Sequence, residues 1–254
     1  FLAHRECAVR RLSLRHNLLS DGFAEGLADA LLGHGNPPLR RIDLRHNRIG
    51  APGGRSLGSA LSSLADVEAM DLGWNELRSG GGIAAIEGIC QMRSAAWAVQ
   101  QLARLNLSWN GLDGSACEAL ETLLATGGNL TSLALDHNRL DSACGLALAR
   151  GIAVNHRLLY LKAGFNPLGL EATKALVEAL RSNTVLAVLG VENTAGEDDT
   201  GSDAGVQQLW EAAQGIIDGR AKFTQVDLEF PARSRKLPRH DDDAGDDEVR
   251  RGVA

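Results

Sequence analysis

Residues 9–19 read VRRLSLRHNLL, with Leu12 and Leu14 on either side of one polar residue and Val9 and Leu19 further out. Side chains two positions apart point to the same face of an extended backbone, so this spacing predicts a short strand buried on one side. The same template, LxxLxLxxNxL, returns at residue 39 (LRRIDLRHNRI), 67 (VEAMDLGWNEL), 102 (LARLNLSWNGL), 130 (LTSLALDHNRL) and 158 (LLYLKAGFNPL). A degraded copy starts at residue 186 (LAVLGVENTAG) and a trace, FTQVDLEF, at residue 223. Successive starts lie 30, 28, 35, 28, 28, 28 and 37 residues apart, which makes 28 the unit and the longer steps insertions.

Between these motifs the apolar spacing changes. GFAEGLADALL (22–32), SACEALETLLA (115–125) and GLEATKALVEAL (169–180) place apolar residues three or four apart, the signature of a helix with one buried stripe. One strand and one helix cannot bury both faces alone, but stacked copies share a continuous core. The chain is therefore expected to be an α/β solenoid, with a curved parallel sheet on its concave side and helices on its convex side. The recurring asparagine has a separate reason. Where each strand ends the backbone turns inward and leaves N–H and C=O groups without ladder partners, and a carboxamide offers both a donor and an acceptor. Asn17, Asn47, Asn75, Asn110, Asn138 and Asn166 are expected to form a structural ladder, with Thr194 replacing asparagine in the seventh copy.

These six well-formed copies resemble the leucine-rich repeats of the ribonuclease-inhibitor-like subtype, across residues 9–230. The resemblance implies a full helix on the convex side of every repeat. It also sets the functions found on that scaffold: ribonuclease inhibition, sensing in innate-immune receptors, GTPase activation on Ran, and cytoskeletal or ciliary scaffolding.

Residues 1–8 read like the tail of a repeat helix, which suggests an array that starts earlier than this sequence; residues 9–230 form the repeat domain, about seven repeats and a terminal strand. Pro231 lacks the donor to continue a strand, and residues 231–254, basic and then acidic with almost no apolar content, are expected to be a disordered charged tail. A second acidic stretch, AGEDDTGSDAG (195–205), reads as a solvated loop.

Charge narrows the partners. Lys and Arg number 26 against 32 Asp and Glu, a net −6, so no overall positive field favours nucleic acid or anionic lipid. No apolar run approaches the roughly 18 residues of a membrane span. The four cysteines, Cys7, Cys90, Cys117 and Cys144, lack paired metal spacing. Cys117 and Cys144 each end a Ser-Ala-Cys triplet at a helix start and read as small buried residues, which favours a reducing, cytoplasmic setting, cytoskeletal or ciliary in some of the proteins it resembles.

Function is sought in the positions the template leaves free. The residue before each ladder asparagine is His16, His46, Trp74, Trp109, His137 and Phe165, six rings in register. They either stack on neighbouring repeats or form a contact stripe, since such rings are favoured interface anchors. The third motif column holds Arg11, Arg41, Ala69, Arg104, Ser132 and Tyr160, and the seventh begins with Arg15 and Arg45. Asp43 and Asp71 in the fifth column are placed to neutralise neighbouring arginines. The expected partner-binding set is Arg15, His16, Arg45, His46, Trp74, Arg104, Trp109, His137 and Phe165, and the expected ligand is a protein with an acidic surface rather than a small-molecule substrate. No HExxH, G-x-S-x-G or GxxxxGK[ST] motif occurs, so neither catalysis nor a cofactor or metal is expected, and the reading is a non-enzymatic interaction scaffold or sensor. The alternative is a GTPase-activating protein for a Ran-like GTPase, with Arg48 and Arg139 as the formal candidates to stabilise charge at a γ-phosphate.

Overall fold

A computed structural model describes residues 8–33, 38–61, 66–91, 101–126, 128–194, 211–216 and 225–227. Strands and helices alternate in the order β1 (Arg11–Ser13), α1 (Asp21–Leu32), β2 (Arg41–Asp43), α2 (Ala51–Leu61), β3 (Ala69–Asp71), α3 (Arg78–Gln91) and β4 (Arg104–Asn106). They continue with α4 (Cys117–Thr126), β5 (Ser132–Ala134), α5 (Ser142–Val154), β6 (Tyr160–Lys162), α6 (Gly169–Ala179), β7 (Val188–Gly190) and β8 (Gln225–Asp227). A 3-10 turn at Gly114–Ala116 leads into α4. All eight strands join one parallel sheet in sequence order, and the register aligns each motif column, for example Leu12 with Ile42 and Met70 with Leu105. The trace at residue 223 is thus a true eighth strand.

In the first seven repeats the central strand residue points into the core. From Ile42 to Leu189 these residues are buried, as are the second leucine of each motif and the terminal one, from Ile49 to Leu168. At the β1 edge the equivalents Leu12, Leu14 and Leu19 are only half-buried, and Leu18 is exposed. Burial in a solenoid comes from both neighbours, so an edge repeat keeps part of its apolar surface open.

The asparagines are joined in a hydrogen-bonded ladder. From Asn47 to Asn166 each carboxamide N–H donates to backbone carbonyls of its own turn and to one carbonyl of the preceding repeat, whereas Asn17 bonds only Leu14 O and Arg15 O. Asn138 Nδ2, for instance, donates to Leu135 O at 2.8 Å and Leu107 O at 3.1 Å. Its Oδ1 accepts from Asn110 N and Leu112 N, both at 3.0 Å. Asn47, Asn75, Asn110, Asn138 and Asn166 are buried, whereas Asn17 at the edge is exposed. In the seventh copy the Thr194 hydroxyl donates to Val191 O and shares a hydrogen bond with Thr173 at 2.9 Å. A second, shorter ladder stands ahead of the later strands. Asn155 and Asn183 precede strands β6 and β7, where Asn155 Nδ2 donates to Leu124 O at 2.6 Å and Asn183 Nδ2 donates to Asn155 O at 2.8 Å.

Two further features correct or extend the sequence reading. Cys117 and Cys144 are not merely small buried side chains: they are joined by a disulfide between α4 and α5, with Cα atoms 4.4 Å apart and Cys117 half-exposed. Repeat geometry brings the same triplet of adjacent repeats side by side. Secondly, α2 and α3 approach at backbone contact. A Cβ on Gly58 would lie 2.3 Å from Ala84 O, and one on Gly88 only 2.0 Å from Gly58 O, so neither position accommodates a side chain.

Residues 1–7 and 231–254, the acidic stretch at 195–205 and Cys7 lie outside the described residues.

Candidate partner-binding surface

The backbone after each strand sets the ring column. His16, His46, Trp74, Trp109, His137 and Phe165 all have left-handed backbone, with φ between 54° and 59°. This region is unfavourable for bulky residues and costs on the order of 1–2 kcal/mol each. Ladder hydrogen bonds hold every turn in this shape, so the ring before the asparagine emerges at the same angle in each repeat. The result is one continuous stack. Centroids are 4.1 Å apart for His16–His46, 4.8 Å for His46–Trp74, 4.0 Å for Trp74–Trp109, 3.9 Å for Trp109–His137 and 4.1 Å for His137–Phe165, with planes within 19° of parallel. Asn193, again left-handed, takes the next position and ends the aromatic run.

Both faces of the four inner rings are therefore occupied by neighbouring rings. Yet Trp74 and Trp109 remain 44% and 39% exposed, so what they offer to solvent is their edges. A partner would meet the rim of an aromatic ribbon rather than insert between rings. The stack supports the structural explanation of the column and leaves its edges available for the other.

The arginines divide into two groups. Arg45 is half-buried against the acids of the fifth column: its Nε lies 3.4 Å from Asp43 Oδ1 and its Nη1 3.8 Å from Asp71 Oδ2. The alignment is poor, since Nε is buried without a hydrogen bond, and the pairing is one of charge. Asp71 Oδ1 also accepts from Gly73 N and Asn106 Nδ2, each at 3.0 Å, while burial, with Asp43 adding to it, pushes its carboxyl above the ordinary range. Burial likewise raises the Asp136 carboxyl, whose Oδ1 accepts from Gly164 N. Arg11, Arg41 and Arg104 differ. They lie on the sheet face turned away from the helices, are exposed, and have no carboxylate within ion-pair distance among the described residues; the same holds for Arg15. Arg11 and Arg41 are directly paired on neighbouring strands, about 4.8 Å apart along the sheet. Toward β6 the same column becomes Ser132 and then Tyr160, which is 48% exposed.

The structure thus brings Arg15, His16, His46, Trp74, Arg104, Trp109, His137 and Phe165 to one accessible side and withdraws Arg45 into an internal ion pair. Arg48 and Arg139 sit one residue beyond the ladder, with their backbone N–H groups bonded to Leu19 O and Leu112 O and their side chains exposed.

His46 gives the stack a pH dependence. Burial, followed by the nearby His16 and Arg45, holds its imidazole below the usual 6.5, while Asp71 and Asp43 pull weakly the other way. A group with a lowered folded pKa favours the fold in its neutral form. Its stabilising effect is present above 6.5 and diminishes as pH falls below that value. Acidification from about pH 8 to about pH 5 is expected to loosen the β1–β2 end of the stack. Proton NMR titration should show His46 with a midpoint below that of free imidazole; a midpoint above it would contradict the assignment.

The parallel one-strand, one-helix repeats and their asparagine rungs define a leucine-rich repeat fold. In agreement, a family model described as Leucine Rich repeat matches residues 35–58. No curated protein matches the chain in sequence. Among solved structures, the tropomodulin C-terminal domain from Caenorhabditis elegans shares 16% identity over 65% of this chain and 93% of that one, with a TM-score of 0.47. The leiomodin-1 actin-binding site 2 shares 16% identity over 65% of this chain and 89% of its own, with a TM-score of 0.46.

Proposed function

We propose that the protein is a non-enzymatic protein-interaction module, a scaffold or sensor segment that takes an acidic partner across the open face of its sheet. The observation that carries this reading is the Arg11–Arg41 pair, continued by Arg104: three exposed guanidinium groups in one register column, without carboxylate partners among the described residues. Like charges on adjacent strands disfavour the isolated fold, and a carboxylate- or phosphate-bearing ligand removes that repulsion while using the bidentate geometry of arginine. The exposed rims of Trp74 and Trp109, five motif positions further along, supply apolar contact.

Arginine and tryptophan contribute differently, which gives the test its resolution. With an Asp/Glu-rich peptide as probe, the triple change Arg11→Ala, Arg41→Ala, Arg104→Ala should weaken binding about tenfold or more at low salt, and the difference should shrink toward 0.5 M salt, an ionic strength at which the screening length is only about 4 Å. Trp74→Ala with Trp109→Ala should cost about 2 kcal/mol or more of binding at either salt concentration. A double change to Phe keeps a stackable ring but alters the rim, and separates a binding role from a structural one. Should the Phe pair bind the probe as tightly as the parent, the rims take no part. Glu121→Ala with Lys174→Ala on the helices, where each residue belongs to a surface ion pair, serves as the neutral control.

A further inference from the structure

The disulfide between α4 and α5 is bordered by a carboxylate. Cys117 Sγ, Cys144 Sγ and an Asp141 oxygen lie within 4.8 Å of one another, and the Gly114 carbonyl faces both sulfurs, at 2.7 Å from Cys117 Sγ and 3.9 Å from Cys144 Sγ. We propose that, when the bridge is open, Cys117, Cys144 and Asp141 form a binding site for one thiophilic divalent cation of the Zn2+ class. The site is distinct from the sheet face and does not depend on the partner reading.

Three features support it. The first is donor chemistry: two thiolates and a carboxylate suit a borderline-soft ion, with the Gly114 carbonyl or a water available for the fourth tetrahedral position. The second is reach. Two sulfurs bound to one tetrahedral zinc at about 2.3 Å stand roughly 3.8 Å apart. With Cα atoms at 4.4 Å, that separation is reached by rotating the side chains about Cα–Cβ, with the two helices left in place. The third is thiolate formation. Cys117 is the first residue of α4 and Cys144 the third of α5, so each thiol sits in the first turn of a helix, where the dipole favours the anion. Asp141 is already held in place as the α5 cap, its Oδ1 accepting from Cys144 N at 3.1 Å.

Metal and bridge are mutually exclusive states of the same two sulfurs. Exchange with an oxidised small-molecule disulfide such as oxidised glutathione transfers two electrons from the thiolates to that reagent, closes the protein S–S bond, releases two glutathione thiolates and expels the ion.

The test uses the full chain carrying Cys7→Ser and Cys90→Ser, prepared reduced and, separately, oxidised with glutathione disulfide. Zn2+ is titrated against a chromophoric chelator, and Co2+ reports thiolate ligation by its near-ultraviolet charge-transfer band. The reduced form is expected to take up one Zn2+ per chain and to show the cobalt band, and the oxidised form to do neither. Asp141→Asn, whose amide oxygen can still cap α5, should weaken binding at least about tenfold, since losing even an outer-shell metal contact costs about 10- to 100-fold. Cys117→Ser should abolish the cobalt band. Equal zinc uptake by the reduced and oxidised forms, or none by either, overturns the proposal. That comparison decides the matter even if a serine variant fails to fold, because it alters neither sulfur by mutation.

Discussion

Alanine at position 88 will destabilise the protein by about 3 kcal/mol, whereas alanine at position 26 will stabilise it by about 0.5–1 kcal/mol. Both substitutions replace a helical glycine and both add one methyl group. At Gly26, on α1, the new Cβ meets nothing within 4 Å, so only the helix propensity of alanine and the reduced freedom of the unfolded chain count. At Gly88 the same atom would lie 2.0 Å from the Gly58 carbonyl oxygen and 2.7 Å from its carbon. The obstacle is backbone rather than a side chain that can rotate away, so α2 and α3 must separate and expose core on both sides. A domain of this size shifts its melting temperature by roughly 2–4 °C per kcal/mol, giving a fall on the order of 10 °C for the position 88 variant and a small rise for the other. Thermal unfolding followed by circular dichroism distinguishes the two; shifts of the same sign would refute the close helix contact.

The asparagine ladder leads to the second large effect. Asn110 Nδ2 donates to Leu72 O at 2.9 Å, Ser108 O at 3.1 Å and Leu107 O at 3.2 Å, and its Oδ1 accepts from Leu77 N at 3.3 Å. Asn110→Ala strips four bonds from backbone groups that water does not reach, and each unsatisfied buried group costs about 1–3 kcal/mol. A total loss of about 3 kcal/mol or more is expected. Asn17→Ala removes the side chain that donates to Leu14 O and Arg15 O, but Asn17 is exposed and water can replace it, so the loss should stay under about 1 kcal/mol. Urea denaturation of the pair checks the ranking, and comparable midpoints would mean that the ladder's value does not come from burial.

Legibility in the sequence followed repetition. Strands, helices, ladder and ring column recur at a fixed period, so one local argument about LxL or Asn applied six times, and the structure places those columns in register. The pairing of Arg45 with Asp43 and Asp71 was legible for the same reason, because adjacent columns become adjacent side chains. What escaped depended on contacts between repeats that no single period displays. The glycines of RSGGGIAAIEGIC read as poor helix formers, yet Gly81 and Gly88 mark where another backbone arrives. The Cys117–Cys144 bridge depends on how two helix starts face one another, which a 27-residue separation does not specify. Left-handed Trp74, Trp109 and Phe165 run against the preference of bulky residues, and only the hydrogen bonds around each asparagine make them tolerable. For Asn155 and Asn183 a signal existed: each stands three residues before the first leucine of its motif, Leu158 and Leu186.

The glycine contact between α2 and α3 also bears on the path of the solenoid. Neighbouring strands are spaced about 4.8 Å apart whereas packed helices ordinarily stand 8–10 Å apart, so each repeat is a wedge and a stack of wedges bends into an arc. Backbone contact thins the wedge between α2 and α3, where a Cβ on Gly54, Gly58 or Gly88 would come within 2.7 Å of the opposite main chain. At that same junction the aromatic ribbon opens to its widest step, 4.8 Å between His46 and Trp74. Closer helices on the convex side and a wider step on the concave side both act to flatten the arc between the second and third repeats.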